Sequence, residues 1–159
     1  MRQRVTIVDK QDNVLRYKNR EECIPSDIER ASALWLTNSK GEILIAQRAY
    51  TKPRDGGKWG PAVAGTVEEG ETYDSNIIKE AEEEIGLKNI TPRKGPKIFR
   101  GTHFSQWYFL TLDTPLSGFT LQTKEVAAIQ WISKETLLKE IKKDPCRFLA
   151  KMREYAEMF

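Results

Sequence analysis

The chain has 159 residues, with 26 Lys or Arg against 23 Asp or Glu for a net charge of +3; 39% of residues are hydrophobic and 31% charged. This length suits one domain with one core of about 100–200 residues, and the supply of apolar groups excludes a disordered chain. Charge so nearly balanced argues against a nucleic-acid binder, which concentrates basic residues, and no window approaches the roughly 20 apolar residues that cross a bilayer.

Met1-Arg2-Gln3-Arg4-Val5 leads into a strand-like run and lacks the apolar stretch of a signal peptide, so a cytoplasmic protein without a membrane partner is expected. Cys23 and Cys146 are too few for a disulfide framework and show no metal-ligand spacing; each reads as a small buried apolar residue.

In chain order, β-branched Arg4 to Asp9 reads as a strand, Gln11-Asp12-Asn13 as a turn, and Val14 to Tyr17 as the returning partner. Asn19 to Arg30 is polar, contains Pro25 and shows no clear periodicity. Ala31–Leu36 and Ile43–Arg48 flank Asn38-Ser39-Lys40-Gly41, which predicts a hairpin. Tyr50 to Lys58 is rich in Lys, Arg, Pro and Gly and reads as an exposed loop. Trp59 to Gly65 carries a short apolar strand into a glycine.

Tyr73 to Ile85 is the clearest helix. Ile77, Ile78, Ala81 and Ile85 form one apolar stripe, and Gly86 suits the C-terminal cap. Strands are expected at Lys97–Gly101, Phe104–Leu112 and Glu125–Ile132, and Ser133 caps a helix through Lys142 with Glu135 in its first turn. Pro145 opens a last helix, whose Phe148, Met152, Tyr155 and Phe159 should dock on the domain's own core. The layout is an α/β or α+β sandwich with helices against a mixed sheet, forming a single domain over residues 1–159 with its C-terminal helices at about 133–158.

The chemistry is concentrated between Gly65 and Leu87. At about 100° per residue, Glu80, Glu83 and Glu84 share one flank of the helix, while Glu82 points to solvent. Like charges at this spacing repel, and they occupy the last two turns, where the helix dipole is already negative. A hard dication such as Mg²⁺ or Mn²⁺ would relieve both penalties, since carboxylate oxygens suit it. On the triplet alone, a solvated Glu-rich face is the commoner reading.

The flanking residues add a second signal. Gly65, Glu71, Glu80, Glu83, Glu84, Gly86 and Leu87 fall on fixed positions of a pattern that resembles the Nudix signature: Gly, five residues, Glu, seven residues, Arg-Glu-aliphatic, one residue, Glu-Glu, one residue, Gly-aliphatic. Lys79 stands where the family has Arg, and Ala81 where a larger aliphatic is usual. Lys loses the planar two-pronged grip of guanidinium on neighbouring carboxylates.

The resemblance implies a Nudix-type α/β/α sandwich with a loop-helix-loop catalytic element. It implies a divalent-metal enzyme that cleaves a diphosphate linkage in a phosphorylated small molecule by attack of water on phosphorus. Carried over by position, Glu80, Glu83 and Glu84 are metal ligands, with Glu83 or Glu80 also a candidate for handling the attacking water. The carbonyl of Ala64 is a further metal contact, and Glu125 an additional carboxylate. Gly65, Glu71, Lys79 and Gly86 have structural roles in the box, Glu71 and Lys79 as a charge pair. Arg48, Lys52, Arg54 and Lys58 are candidates for phosphate binding, and Trp59 or Trp107 for stacking, although large aromatics are more often core. A homodimer is the expected assembly.

Val8-Asp9, Ile28-Glu29-Arg30-Ala31 and Trp59-Gly60-Pro61-Ala62-Val63 also look like the isopentenyl-diphosphate isomerase branch of the superfamily. An isomerase of that branch uses a metal held largely by His, whereas His103 is the one histidine here. No Cys follows Trp59 where the isomerase pattern has one. A non-catalytic Nudix-fold binding module is the third reading, and the intact glutamates argue against it.

Overall fold

Strand β3 organises the molecule. In the computed structural model, which describes residues 3–159, it runs Ile28–Thr37 and meets four other strands. Strand β8, His103–Thr111, lies parallel along its whole length, from Glu29 against His103 to Thr37 against Thr111. Its other edge is shared in succession. It pairs with β1 (Arg4–Val8) at Ile28 and Glu29, with β6 (Val63–Thr66) from Ala31 to Leu34, and with β4 (Ile43–Arg48) at Thr37. Strand β2, Val14–Asn19, extends the sheet beyond β1. Strand β7, Arg93–Phe99, borders β8. Strand β4 carries β5 (Trp59–Pro61) on one side and β9 (Val126–Ile132) on the other. Met1 and Arg2, where the N-terminal run was expected to begin, lie outside the described residues.

Period-two patterning sorts side chains into two cores. Leu34 and Leu36 of β3 with Leu44 and Ala46 of β4 face helix α1 (Tyr73–Ile85) through Ile77, Ala81 and Ile85. Ala33, Trp35, Ile43 and Ile45 face the opposite side, where α2 (Lys134–Lys143) and α3 (Met152–Met158) contribute Leu137, Ile141, Met152 and Ala156. The result is the α/β/α sandwich expected. Tyr155 and Phe159 pack on the second core, Phe159 edge-on to Trp35 at 5.5 Å.

Helix α1 has the predicted bounds. Thr72 Oγ1 accepts from the Ser75 N–H at 3.1 Å, and Gly86 closes the C-terminus at φ 72°. Its buried face is rotated from the expected stripe: Ile78 is 41% exposed, and Asn76 is fully buried. At about 100° per residue, Asn76, Glu80 and Glu84 lie together on the flank away from Ile78. The helix turns this polar flank toward the sheet, which moves Ile78 into solvent.

Four further expectations are corrected. The predicted hairpin closes at its turn, where Thr37 pairs antiparallel with Ile43 and the Asn38 N–H donates to the Glu42 carbonyl at 3.0 Å, but its strands part beyond it, because β3 then pairs with β6 and β8 while β4 pairs with β5 and β9. Strand β7 begins at Arg93, four residues early; Gly95 and Pro96 read as breakers but fall where the register shifts between Lys94 and Lys97, on an edge strand that tolerates Pro. Pro145 opens a 3-10 turn, not the last helix, since Phe148 is extended beside Trp59 and the Leu149 N–H donates to the Trp59 carbonyl at 2.9 Å. Neither cysteine is buried: Cys146 is exposed on that turn, and half-buried Cys23 follows the Arg20–Glu22 turn.

Candidate active site

The polar flank of α1 lies against strand β6, and the contact is built around Gly65. A Cβ there would collide with Cγ and the carboxyl of Glu80, so only glycine lets the carboxylate approach the strand backbone. Asn76 fixes the same region from below. Its amide nitrogen reaches the Thr66 carbonyl at 3.1 Å, Glu71 Oε2 at 2.9 Å and Glu80 Oε1 at 3.4 Å. Its amide oxygen accepts from the Ser32 hydroxyl of β3. Buried amides need such partners, and this one joins sheet, loop and helix.

Lys79 stands among three carboxylates. Its Nζ is 2.6 Å from Glu71 and 3.5 Å from both Glu68 and Glu80. Glu71 also accepts from the Glu68 N–H at 2.9 Å, which closes the loop before the helix. Burial raises the Glu71 pKa, but the bonds from Lys79, Glu68 and Asn76 outweigh it and hold the group below the usual range.

The remaining glutamates are under strain of charge. Burial pushes Glu80 up to about 6, with Lys79 opposing and Glu83 adding to the shift. Glu84 is pushed up to about 8, first by burial and then by the carboxylates of Glu80 and Glu125, partly offset by the Ala64 N–H. Glu125 is brought there by the preceding loop, whose Gln122 N–H donates to the Glu84 carbonyl at 2.9 Å and whose Glu125 N–H donates to Gln122. Lys52 forms an ion pair with Glu125 from the facing loop.

Among the described residues, no three His, Cys, Asp or Glu side chains already form a metal cage. The chemistry of the donor set nevertheless suits a hard cation. Glu80, Glu83, Glu84 and Glu125 line one cleft of about 920 Å³ together with Ala64 and Gly65. Burial, with the neighbouring carboxylates adding to it, raises Glu80 and Glu84 out of the ordinary carboxylate range, which a divalent ion would reverse.

Arg48 lines this cleft, as do Lys52 and Arg54. The other three expected binding residues, Lys58, Trp59 and Trp107, do not. Lys58 pairs with Asp55 at 3.2 Å, and Trp59 lines a separate recess of about 90 Å³ beside Ile45, Gln130 and Phe148. The backbone explains this: the Arg48 N–H bonds the Lys58 carbonyl, and β5 carries the Trp59 side chain onto the second core. Trp107 is a core residue, 1% exposed, and His103 is half-buried at the start of β8. Sequence reasoning missed Gln3, Arg20, Thr66, Gln122 and Lys124 in the cleft wall. Gln3 and Arg20 reach the cleft from a distant part of the chain, while Thr66, Gln122 and Lys124 lie beside Gly65 and Glu125 but carry no pattern of their own.

Among the described residues no helix is long and apolar enough to cross a membrane. The family model for the NUDIX domain matches residues 28–152. A Nudix hydrolase of Listeria innocua is 31% identical over 121 residues, covering 74% of this chain and 70% of the relative. The isopentenyl-diphosphate Δ-isomerase of Citrobacter koseri is 26% identical, covering 74% and 69%. The crystal structure of DR0079 from Deinococcus radiodurans superposes with a TM-score of 0.86 over 98% of both chains at 21% identity, a likeness of fold. With Gly65, Glu80, Glu83 and Glu84 of the box gathered on one cleft, these matches show that the chain belongs to the Nudix family of hydrolases.

Proposed function

We propose that this chain, as one Nudix domain over residues 1–159, is a metal-dependent hydrolase of a diphosphate linkage in a phosphorylated small molecule. The observation that carries this reading is the gathering of Glu80, Glu83, Glu84 and Glu125 in one cleft, where burial and then the neighbouring carboxylates of Glu80 and Glu125 push Glu84 up to about 8. Glu80, Glu83 and Glu84 would hold Mg²⁺ or Mn²⁺, with the Ala64 carbonyl and Glu125 as further oxygen donors. The ion, when bound, supplies charge neutralisation at the phosphate oxygens and a more acidic water.

The chain's own residues do the rest. Glu80 is restrained by Asn76, Lys79 and Gly65, and Glu84 by the Ala64 N–H. Glu83 is exposed, is not held in this way and is assigned as the base. It takes a proton from water as the new O–P bond forms, and the bridging P–O bond breaks with its electron pair leaving on the departing phosphate. Arg48 and Lys52 on the facing loop offset phosphate charge.

A panel of nucleotide sugars, nucleoside triphosphates, dinucleoside polyphosphates and isopentenyl diphosphate, assayed with Mg²⁺, Mn²⁺ or EDTA, tests this reading. Phosphate-containing products should appear only with metal, and Glu83→Gln should lower kcat by at least a hundredfold. Full turnover by folded Glu83→Gln, or in EDTA, would sink the proposal. Isomerised isopentenyl diphosphate without phosphate release would instead support the isomerase reading.

A further inference from the structure

Lys52 and Glu125 both line the cleft, on backbones that are already joined. The Ala49 N–H donates to the Glu125 carbonyl at 2.9 Å, and the Lys52 N–H to the Ala49 carbonyl at 3.1 Å. On the other side, the Glu125 N–H donates to the Gln122 carbonyl at 2.8 Å, and the Gln122 N–H to the Glu84 carbonyl at 2.9 Å. A short relay of backbone bonds thus runs from Lys52 through Glu125 to Glu84.

The loop that carries Lys52 does not need the ion pair to hold its shape. The Gly57 N–H bonds the Arg48 carbonyl at 3.0 Å, and Arg48 Nε donates to the Arg54 carbonyl at 3.2 Å. Gly56 packs so closely that a Cβ there would lie 2.7 Å from the Tyr50 carbonyl oxygen and 2.9 Å from that of Lys52. The pair itself is part-exposed, 27% at Lys52 and 41% at Glu125. Such pairs contribute little to stability, because water screens them and two long side chains lose freedom. Its place is what matters. After burial and Glu80, the Glu125 carboxylate raises the Glu84 pKa, and the Lys52 ammonium opposes it. Lys52 offsets with one charge the same repulsion that a divalent ion would offset with two.

We propose that Lys52 is a positioning residue that exchanges partners: its ammonium holds Glu125 while the glutamates carry no cation, and gives Glu125 up to a divalent ion, which frees Lys52 for the substrate's phosphate. The inference rests on the proposed role of Glu125 as an oxygen donor to the metal. A flexible four-carbon stem on a braced loop suits the exchange, since the ammonium can swing while the backbone stays. Metal and phosphate then favour each other's binding through one side chain, and the coupling is reciprocal.

Calorimetric titration with Mn²⁺ alone, on the parent, Lys52→Met, Glu125→Gln and the double variant, tests the first half. Lys52→Met should bind Mn²⁺ about two- to fivefold tighter, the scale of a part-exposed ion pair, and the gain should vanish in the Glu125→Gln background. An equal gain in both backgrounds would reduce Lys52 to a distant repelling charge, and a loss of affinity would make it a support for the metal-binding pose; either overturns the exchange. Unchanged Mn²⁺ affinity in Glu125→Gln overturns it too, by removing Glu125 from the donors. Titration with inorganic phosphate in EDTA tests the second half. Glu125→Gln should tighten phosphate binding about two- to fivefold through the freed ammonium, and a gain that survives in the double variant would overturn that step. If both halves hold while no diphosphate is turned over with metal, hydrolysis is refuted and the exchange stands.

Discussion

The amide nitrogen of Asn76 lies 2.9 Å from Glu71 Oε2, entirely out of solvent. Through this bond and its reach to Glu80, one buried side chain sets the distance between the loop and the acidic flank of α1. Asn76→Ala would leave the Ser32 hydroxyl and the Thr66 carbonyl without that partner, a cost of about 1–3 kcal/mol. For a chain of this size that lowers Tm by roughly 2–12 °C. Activity should fall further than stability predicts, with kcat down at least tenfold and KM little changed. Thermal denaturation and steady-state kinetics check both; a stability loss with full kcat would make Asn76 merely structural.

Gly65→Ala isolates the approach of Glu80 to the strand. The added Cβ meets the Glu80 carboxyl, and pairing of Ala33 with Ala64 and Ser32 with Gly65 keeps the backbone from yielding. Glu80 must therefore leave its position. Metal affinity, measured by Mn²⁺ titration, should weaken at least tenfold while the far-ultraviolet circular dichroism is unchanged.

The acidic wall also makes a prediction about stability without metal. Glu84 titrates at about 8 in the folded chain, against 4.5 for an ordinary Glu. A carboxyl raised on folding contributes stability that is complete below pH 4.5 and is lost as pH climbs through 8. Tm in EDTA should therefore decline over that window. Glu84→Gln should flatten the decline and raise Tm at pH 8, yet abolish the stabilisation that Mg²⁺ or Mn²⁺ gives the parent chain.

What could be read from sequence follows from how far apart the cooperating residues lie. Glu80, Glu83 and Glu84 share one helix, so 3.6-residue geometry placed them on a common flank, and Gly65 and Gly86 mark backbone needs visible in a single segment. Arg20 comes from another part of the chain and meets the site only through the sheet order. Trp59 misled for the opposite reason. It is adjacent to the box in sequence, yet strand alternation sends it to the other core. Asn76 was hidden because an amide in an amphipathic helix reads as surface until its partners are seen.

Asp12 ties the first hairpin to helix α1, and its removal should destabilise the whole chain. It sits at φ 65° in the turn before β2, its side chain only 7% exposed. Arg30 Nε donates to it at 2.7 Å, Lys97 Nζ at 2.6 Å and the Tyr73 hydroxyl, from the first residue of α1, at 3.1 Å. Burial raises its pKa, but the bonds from Lys97 and Arg30 prevail and hold it below 3.8. A carboxyl lowered on folding contributes stability that is present above 3.8 and is lost as pH falls through its folded value. Asp12→Ala leaves Arg30, with a side chain 17% exposed, unpaired, and breaking such a pair costs about 3–5 kcal/mol. Tm at pH 7 should drop by roughly 6–20 °C. The gap from the parent should narrow as pH falls from 3.8 through the lower folded value, where Asp12 becomes protonated in the folded parent. A parallel pair of pH–Tm curves down to pH 2.5 would show the network to be inert if the gap at pH 7 were absent.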